Sequence, residues 1–192
     1  MTPQRGPVRL DNVGIADQPV IRSERMLLRP MRRSDMGLIE LYGSDRRVAE
    51  MTTTIPHPLP PGATDAYVTR QLRGDRDEIV WVMDATMSGL EEVMGLIGLT
   101  PLDREQAEIG YWVAPLVWNT GLATEAVRAL VAANPLRNRQ VFGSVFQDNP
   151  ASARVLTNSG FDYVGDAEAY SVARGAVVPQ WTYICQMPAV AA

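Results

Sequence analysis

Apolar positions form β-type runs in the middle of the chain and helix-type stripes on either side of them. The middle runs cover residues 79–84, 93–100 and 107–113, and turn-prone clusters at 87–90 and 101–105 separate them. Short apolar runs that alternate with turns are typical of an antiparallel meander. We therefore expect three consecutive antiparallel strands in the centre of the fold.

The residues before this meander predict one strand and several helices. The strand is an apolar run closed by a proline, and Ser34 and Thr64 are candidate N-caps of two of the helices. Four prolines mark a loop ahead of the last helix. The predicted elements are a strand at 24–29, helices at 34–42, 45–51 and 64–72, and a loop at 52–62.

After the meander, helices and strands alternate. One helical stripe stops at Asn134 and Pro135, and another stops at Gly160, as helices commonly do before these residues. The predicted elements are helices at 121–133 and 150–158 and strands at 140–146, 161–165 and 179–186. A meander followed by this alternation predicts an α+β fold with helices packed on one sheet.

Length and charge narrow the class of protein. The 192 residues suffice for one domain, so we expect a loose arm at 1–20 and a single domain at 21–188. The net charge of −4 argues against nucleic-acid binding, which needs a basic surface. No apolar run approaches the roughly 20 residues of a membrane span, and the polar start is unlike a signal peptide. A cytoplasmic protein is therefore expected.

Three scarce residue types limit the chemistry. Cys185 is the single cysteine and His57 the single histidine, so metal sites built from several such ligands are excluded, and we expect no metal. All 18 basic residues are arginine, so neither a Schiff-base lysine nor a phosphate-loop lysine is available. A bound phosphate must therefore be held by backbone N–H groups, hydroxyl groups or arginine.

The junction between the meander and the next helix is a candidate anion site. A strand ends at Pro115, a short turn follows, and a helix opens at Gly121. Unpaired N–H groups and the positive end of the helix dipole suit a pyrophosphate there. Gly121 and Ala123 leave room for an anion, and Thr120 and Thr124 add hydroxyl groups. An ordinary strand-to-helix turn is the alternative.

A second strand-to-helix junction covers residues 149–161. Asn149 is a good N-cap, Pro150 suits the first helical position, and Gly160 stops the helix. Taken alone, this segment predicts only an ordinary capped helix. The segment becomes informative because it follows the junction at Gly121 in the chain.

Together the two junctions resemble the GNAT superfamily of acyl-CoA N-acyltransferases, and within it the Rim-type branch, which includes acetyltransferases of ribosomal-protein N-termini. The resemblance covers about residues 21–187 and is strongest at 24–30, 118–126 and 149–161. It implies the GNAT fold, a mixed and mostly antiparallel sheet flanked by helices, whose central strands splay apart. Those strands would be the ones that end near Val113 and Phe146.

The resemblance also implies that the chain binds acetyl-CoA and releases CoA as a product. The backbone of Trp112 and Val113 would pair with the pantetheine arm, and Asn149 and Ser152 would lie beside the arm or the thioester. The loop and first helical turn would hold the pyrophosphate through their backbone. The residues expected there are Trp118, Asn119, Thr120, Gly121, Leu122, Ala123 and Thr124.

The chain departs from the family pattern at three positions. Asn119 stands where glycine is common, and Thr120 stands where a basic residue or glutamine is common. Leu156 stands where many members place a tyrosine that acts as a general acid. Ser152 is therefore the expected hydrogen-bonding partner of the departing thiolate.

Glu108 is the candidate general base. Strand alternation places Glu108, Gly110 and Trp112 on one face of the sheet. Deprotonation at pH 7 costs about 1.4 kcal/mol for an α-ammonium but about 4.6 kcal/mol for a side-chain ammonium, so an α-amine needs only a modest base. A surface glutamate at a strand edge is the alternative reading of Glu108.

The expected function is transfer of an acetyl group to a primary amine, either the α-amine of a peptide or a small amine. Two alternatives remain: a catalytically silent acyl-CoA-binding module that serves as a sensor, and an enzyme that uses a longer acyl chain. The sequence leaves a homodimer open and does not identify the acceptor.

Overall fold

The computed structural model describes residues 18–74 and 76–188, which form one sheet with helices on both faces. The strands are β1 (Ile21–Arg22), β2 (Leu27–Pro30), β3 (Ile79–Asp84), β4 (Gly95–Leu102), β5 (Gln106–Val113), β6 (Gln140–Phe146), β7 (Asp162–Ser171) and β8 (Ala176–Gln186). The helices are α1 (Met36–Gly43), α2 (Arg46–Ala49), α3 (Ala63–Arg73), α4 (Leu122–Ala133) and α5 (Pro150–Asn158). The predicted α+β class is confirmed.

The sheet has the strand order β1-β2-β3-β4-β5-β6-β8-β7. Every neighbouring pair is antiparallel except β5 and β6, which run parallel. The central meander β3–β4–β5 is therefore confirmed. β5 and β6 can run parallel because α4 connects them and returns the chain to the same end of the sheet.

The parallel pair stays together for only part of its length. Pairing runs from Gln106 opposite Gln140 to Ile109 opposite Gly143. Beyond that point β5 continues to Val113 with β4 as its partner, and β6 continues to Phe146 with β8 as its partner. The two strands therefore separate, and a slot opens in the middle of the sheet.

Each face of the sheet has its own apolar core. The larger core, beneath α4 and α5, includes the fully buried side chains of Trp81, Leu122 and Leu156. The smaller core, beneath α1 and α3, includes Val68 and Val82. Because β3 is buried along its whole length, its residues alternate between the two cores.

A buried ionic cluster ties β2 to β3 and to the turn before α1. Arg29 is 2% exposed and donates to Asp35 at 2.9 and 2.8 Å, to Asp84 at 2.7 Å and to the carbonyl of Glu92 at 3.1 Å. Burial alone would raise the pKa of Asp84, but hydrogen bonds from Arg29 and Thr86 outweigh it and hold that pKa below its ordinary value. Removal of Arg29 would leave two carboxylates inside the domain.

Residues 18 and 19, which the sequence analysis placed in the arm, pack on the domain. Gln18 is 6% exposed and donates from Nε2 to the carbonyl of Val80 at 2.8 Å. The indole of Trp81 donates to the carbonyl of Pro19 at 2.9 Å. These residues pack on β3, and the rest of the predicted arm, residues 1–17, lies outside the described residues.

Neither predicted N-cap serves that role. Ser34 lies within the short 3₁₀ turn Arg33–Asp35 ahead of α1, and Thr64 lies inside the first turn of α3 and is 5% exposed. The chain enters α3 through Gly62, whose φ of 78° a residue with a side chain adopts only with strain. Backbone geometry therefore starts α3, and the buried side chain of Thr64 belongs to its packing.

The strand bounds differ most at the ends of the sheet. The predicted strand at 24–29 begins only at Leu27, as β2, because a turn precedes it in which the N–H of Ser23 donates to the carbonyl of Met26 at 3.0 Å. The short strand β1 lies before that turn and was not predicted. β7 is about twice as long as the predicted strand at 161–165, and β8 begins three residues before the predicted strand at 179–186. Much of β7 is exposed on both faces, with Tyr163 and Val164 each 53% exposed, so no apolar alternation marks its extent.

Candidate active site

Backbone groups of β5 point into the slot between β5 and β6. The N–H of Ala114 donates to Met94 beside β4, and the carbonyl of Glu105 accepts from Arg139 beside β6. The carbonyl of Val113 accepts from the indole of Trp118. Because backbone direction alternates along a strand, Tyr111 directs its N–H and carbonyl groups into the slot and Val113 directs its N–H there, whereas Trp112 faces β4. This corrects the sequence expectation, which paired Trp112 with a bound arm.

The start of α4 lies at one end of the slot. Gly121 occupies the N-cap position with a φ of 82°, and the helix has no side-chain cap hydrogen bond. Asn119 has a φ of 61°, a left-handed conformation that asparagine tolerates better than most residues with a side chain. Asparagine therefore fits where glycine was expected, and the first N–H groups of α4 face outward without a capping side chain.

Arg25 flanks this helix start from the turn between β1 and β2. Its Nη1 donates to the carbonyl of Thr120 at 3.1 Å, and its Nε donates to Glu125 on α4 at 2.6 Å. Its Nη2 lies 3.6 Å from the position that a Cβ on Gly121 would take. A guanidinium group therefore stands beside the loop, although Thr120 itself carries no charge. The sequence analysis missed Arg25, which is 95 residues away from Thr120 in the chain.

Trp118 closes the other side of the turn. Its indole N–H donates to the carbonyl of Val113 at 2.9 Å, and the guanidinium of Arg47 lies 5.3 Å from its ring centroid. The ring is 38% exposed. Trp118 therefore links the end of β5 to the loop that precedes α4.

Ser152 forms a hydroxyl pair with Tyr111 on β5, which was not among the predicted site residues. The hydroxyl groups of Tyr111 and Ser152 are 2.8 Å apart, and either can be the donor. Asn149 caps α5 by accepting from the N–H of Ser152 at 3.1 Å. Burial raises the pKa of Tyr111, so its hydroxyl group stays protonated at neutral pH. Leu156, at the position expected for a tyrosine, is fully buried instead.

Glu108 lies on the opposite face of the sheet, at the floor of a cavity of about 680 Å³. Its side chain is exposed, and its Oε1 accepts from the hydroxyl of Ser144 on β6 at 3.0 Å. Thr100 on β4 and Trp112 on β5 line the same cavity. The carboxylate therefore points into an open space that borders the slot.

The walls of this cavity come from α1, α3 and the loop at 51–56. The turn between β7 and β8 holds that loop in place. Arg174 donates from Nε to the carbonyl of Glu50 at 2.7 Å, and the N–H of Val172 donates to the carbonyl of Thr53 at 3.0 Å. The far end of the sheet thus shapes the cavity, which the sequence did not indicate.

Comparison with known proteins decides the family. The sequence model of the acetyltransferase (GNAT) domain matches residues 25–162 of the chain. The chain belongs to the GNAT acetyltransferase family. The expected GNAT fold and the enzyme class, N-acetyltransferase, are thereby confirmed.

Individual proteins agree with this assignment. This chain is 26% identical over 176 residues to the uncharacterized N-acetyltransferase p20 of Bacillus licheniformis. The aligned region covers 84% of this chain and 92% of that protein. The fold resembles RimL, a ribosomal L7/L12 alpha-N-protein acetyltransferase in complex with coenzyme A, with a TM-score of 0.75 at 16% identity over 90% of this chain and 100% of that one. It also resembles MccE, a microcin C7 self immunity acetyltransferase in complex with acetyl-CoA and AMP, with a TM-score of 0.72 at 13% identity over 93% and 99% of the two chains.

In this GNAT domain, the two predicted catalytic residues lie on opposite faces of the sheet. Ser152 and Tyr111 lie on the side of α4 and α5, and Glu108 lies in the cavity on the side of α1 and α3. The slot between β5 and β6 connects the two sides. The predicted loop residues 118–124 lie together at the end of β5, whereas Asn149 faces its own helix as a cap.

The single histidine and the single cysteine lie outside the slot and the cavity. His57 is half-buried in the proline-rich loop and does not line the cavity, and Cys185 is 8% exposed in β8. Within residues 18–74 and 76–188, no group of three or more histidine, cysteine or acidic residues is placed to hold a metal ion. In the same part of the chain, no helix is both long and apolar enough to cross a membrane.

Proposed function

We propose that the chain transfers the acetyl group of acetyl-CoA directly to a primary amine. The slot between β5 and β6 is the observation that carries this proposal. It joins a helix start that has no capping side chain on one side to the cavity of Glu108 on the other. A thioester held in the slot would meet an amine held in the cavity.

Acetyl-CoA would be held mainly by backbone groups. The N–H groups from Asn119 to Thr124 would bind the pyrophosphate, with Arg25 beside them to balance its charge. The backbone of Tyr111 and Val113 would pair with the pantetheine arm as an added strand. This arrangement needs no lysine, which agrees with its absence from the sequence.

Bound acetyl-CoA would supply an acetyl thioester, and the chain would accept one proton from the amine and hydrogen-bond to the departing thiolate. The amine nitrogen bonds to the thioester carbon, the carbon–sulfur bond breaks, and the amine proton passes to Glu108 directly or through water. Of the N–H groups of Tyr111 and Val113 that are aimed into the slot, the one that does not pair with the arm can stabilise the oxyanion. The hydroxyl pair of Ser152 and Tyr111 can donate a hydrogen bond to the departing thiolate.

The finer assignments stay predictions. The likeness to RimL supports the Rim-type branch but does not identify the acceptor. A cytoplasmic location, a homodimer, and the absence of nucleic-acid and membrane partners also stay predictions.

Cofactor binding and turnover can be tested separately. We expect acetyl-CoA at millimolar concentration to raise the melting temperature, because it binds the folded chain preferentially. CoA-thiol release in a screen of primary amines then measures transfer. If neither acetyl-CoA nor CoA shifts the melting temperature, the cofactor assignment is wrong. Binding without turnover on any amine would instead support the silent acyl-CoA-binding module.

Glu108→Gln tests the general base. We expect kcat to fall about 100-fold or more at pH 7 because the variant cannot accept a proton, while the shift in melting temperature with acetyl-CoA is retained. Glu168→Gln, an exposed glutamate of β7, is the matched control and should keep wild-type kcat. A rate for Glu108→Gln that equals the wild-type rate from pH 6 to 9 would remove Glu108 from this role.

A further inference from the structure

The cavity beside Glu108 has a floor without side chains. Gly98 on β4 and Gly110 on β5 are opposite each other, and a Cβ on Gly110 would meet no atom within 4 Å. A second carboxylate lies over this floor, because Glu78 Oε2 is 3.5 Å from the position that a Cβ on Gly98 would take. An extended ligand can therefore lie along the two glycines, with Glu108 at one end and Glu78 at the other.

Glu78 is a poorly paired carboxyl group. Its Oε1 accepts only long hydrogen bonds, at 3.4 Å from both the hydroxyl of Tyr67 and the amide of Gln71. Within the described part of the chain, no arginine forms an ion pair with it. Burial raises the pKa of Glu78, although the hydrogen bond from Tyr67 and the nearby charges of Arg70 and Arg76 oppose this. A cation bound next to Glu78 would compensate for the burial of its charge.

Gln71 adds an unused acceptor at the same end of the cavity. Its side chain is 2% exposed and lines the cavity, and its Oε1 has no hydrogen-bond partner among the described residues. A buried amide oxygen without a partner is costly, so a donor is expected from a ligand. An ammonium group carries three donors and no acceptor, which matches Gln71 and Glu78 together.

The spacing of the two ends defines the ligand. Gly98 and Glu108 are diagonal neighbours across β4 and β5, and such neighbours are about 7–8 Å apart. Resting on the proposed transfer to a primary amine, we propose that the acceptor is a linear aliphatic diamine. One amine reacts beside Glu108, and the other, as an ammonium, is held by Glu78 and Gln71.

The test compares putrescine with butylamine, which has the same carbon chain but lacks the second ammonium. With the full chain and acetyl-CoA, we expect putrescine to have a kcat/KM at least tenfold higher than butylamine. Glu78→Gln should lower kcat/KM for putrescine about tenfold, mainly through KM, and leave butylamine within about twofold. Gln71→Met should act in the same direction, and Glu168→Gln, outside the cavity, should change neither amine.

Binding separates this proposal from the proposed function. Calorimetry with CoA present should show that putrescine binds wild type and that Glu78→Gln binds it about tenfold more weakly. Glu78-dependent binding without transfer to any amine would overturn the transferase proposal and support the diamine site. Equal kcat/KM for the two amines, or equal losses for both in Glu78→Gln, would overturn the diamine site and leave the transferase proposal intact. A retained shift in melting temperature with acetyl-CoA shows that each variant is folded.

Discussion

Two hydroxyl groups lie beside the slot, where Ser152 alone was expected because Leu156 replaces the helical tyrosine of the family pattern. Leu156 fills the space next to Gly143, since its Cδ1 is 2.9 Å from the position that a Cβ on Gly143 would take. Position 156 is therefore part of the core. Tyr111 instead brings a hydroxyl group to Ser152 from β5, 41 residues away in the chain. At the scale of the residue, a hydroxyl group from the neighbouring strand would take the acid role in the proposed mechanism.

If the hydroxyl groups of Ser152 and Tyr111 act together, the losses of kcat caused by removing each of them should not be additive. Ser152→Ala should lower kcat about tenfold because the thiolate loses a donor, and Tyr111→Phe should lower it to a similar extent because the pair is broken. If the two act as one unit, the double variant should be no slower than Ser152→Ala alone. Steady-state kinetics of the three variants measures this coupling.

Tyr163→Phe is the matched control for this cycle. Its hydroxyl group is on β7 and donates to Asp166 at 2.9 Å, away from the slot. We expect its kcat to equal that of wild type. Additive losses at Tyr111 and Ser152 would show that the two hydroxyl groups act independently.

At the scale of the element, the turn between β1 and β2 holds the start of α4. Glu125 on α4 accepts from the hydroxyl of Ser23 at 2.7 Å, from the N–H of Arg25 at 2.7 Å and from its Nε at 2.6 Å. Burial would raise the pKa of Glu125, but these hydrogen bonds outweigh it and lower that pKa below its ordinary value. The same contacts place Arg25 beside the loop at Thr120.

Glu125→Gln should therefore destabilise the fold in a pH-dependent way. At pH 7 we expect the free energy of unfolding to fall by about 1–3 kcal/mol, because charged hydrogen bonds are lost. The pKa is lowered in the folded state, so this stabilisation is complete above the unfolded-state value and is lost as pH falls through the folded-state value. The difference between wild type and variant should thus shrink as pH falls below about 4.5.

Urea unfolding between pH 3 and 7 measures this effect. Glu40→Gln, an exposed position on α1, is the control and should follow wild type at every pH. A difference for Glu125→Gln that stays constant over this range would show that its carboxylate does not contribute through its charge. Weaker binding of acetyl-CoA by Glu125→Gln is also expected, because Arg25 would lose its anchor.

At the scale of the whole molecule, the hairpin of β7 and β8 holds the loop that forms one wall of the cavity beside Glu108. The turn between β7 and β8 contacts the chain between Glu50 and Thr53, including a hydrogen bond from the hydroxyl of Ser171 to the carbonyl of Thr52 at 3.3 Å. Arg174 also donates to Asp148 at 2.6 Å. The edge of the sheet therefore positions the loop under which an acceptor would bind.

Arg174→Met should affect the acceptor more than the cofactor. The loop at 51–56 would lose its anchor at Glu50, so we expect the KM for the amine to rise about tenfold. The Kd for acetyl-CoA should stay within about twofold, because the helix start of α4 is not touched. Kinetics at saturating acetyl-CoA and calorimetry measure the two effects.

Arg73→Met, an exposed arginine at the end of α3, is the control for charge removal. It should leave both the KM for the amine and the Kd for acetyl-CoA unchanged. If Arg174→Met weakens acetyl-CoA and the amine equally, the hairpin stabilises the domain in general and does not position the loop.

The sequence by itself determined the order of the elements, the meander, and the helix starts at Gly121 and Asn149. These rest on local signals, because apolar periodicity, proline and glycine act on neighbouring residues in the chain. It also placed Glu108 and Ser152 on a strand and a helix next to the slot, although their roles stay predictions. It placed the C-terminal end of β7 six residues too early, because both faces of that strand are exposed.

Only the tertiary structure decided what stands beside these residues. Arg25 meets Glu125 across 100 residues, and Arg174 meets Glu50 across 124. The pairing of Gly98 with Gly110, which leaves the cavity floor bare under Glu78, likewise depends on strand register. Such contacts follow from how the sheet closes on its helices, and the spacing of residues along the chain carries no local signal for them.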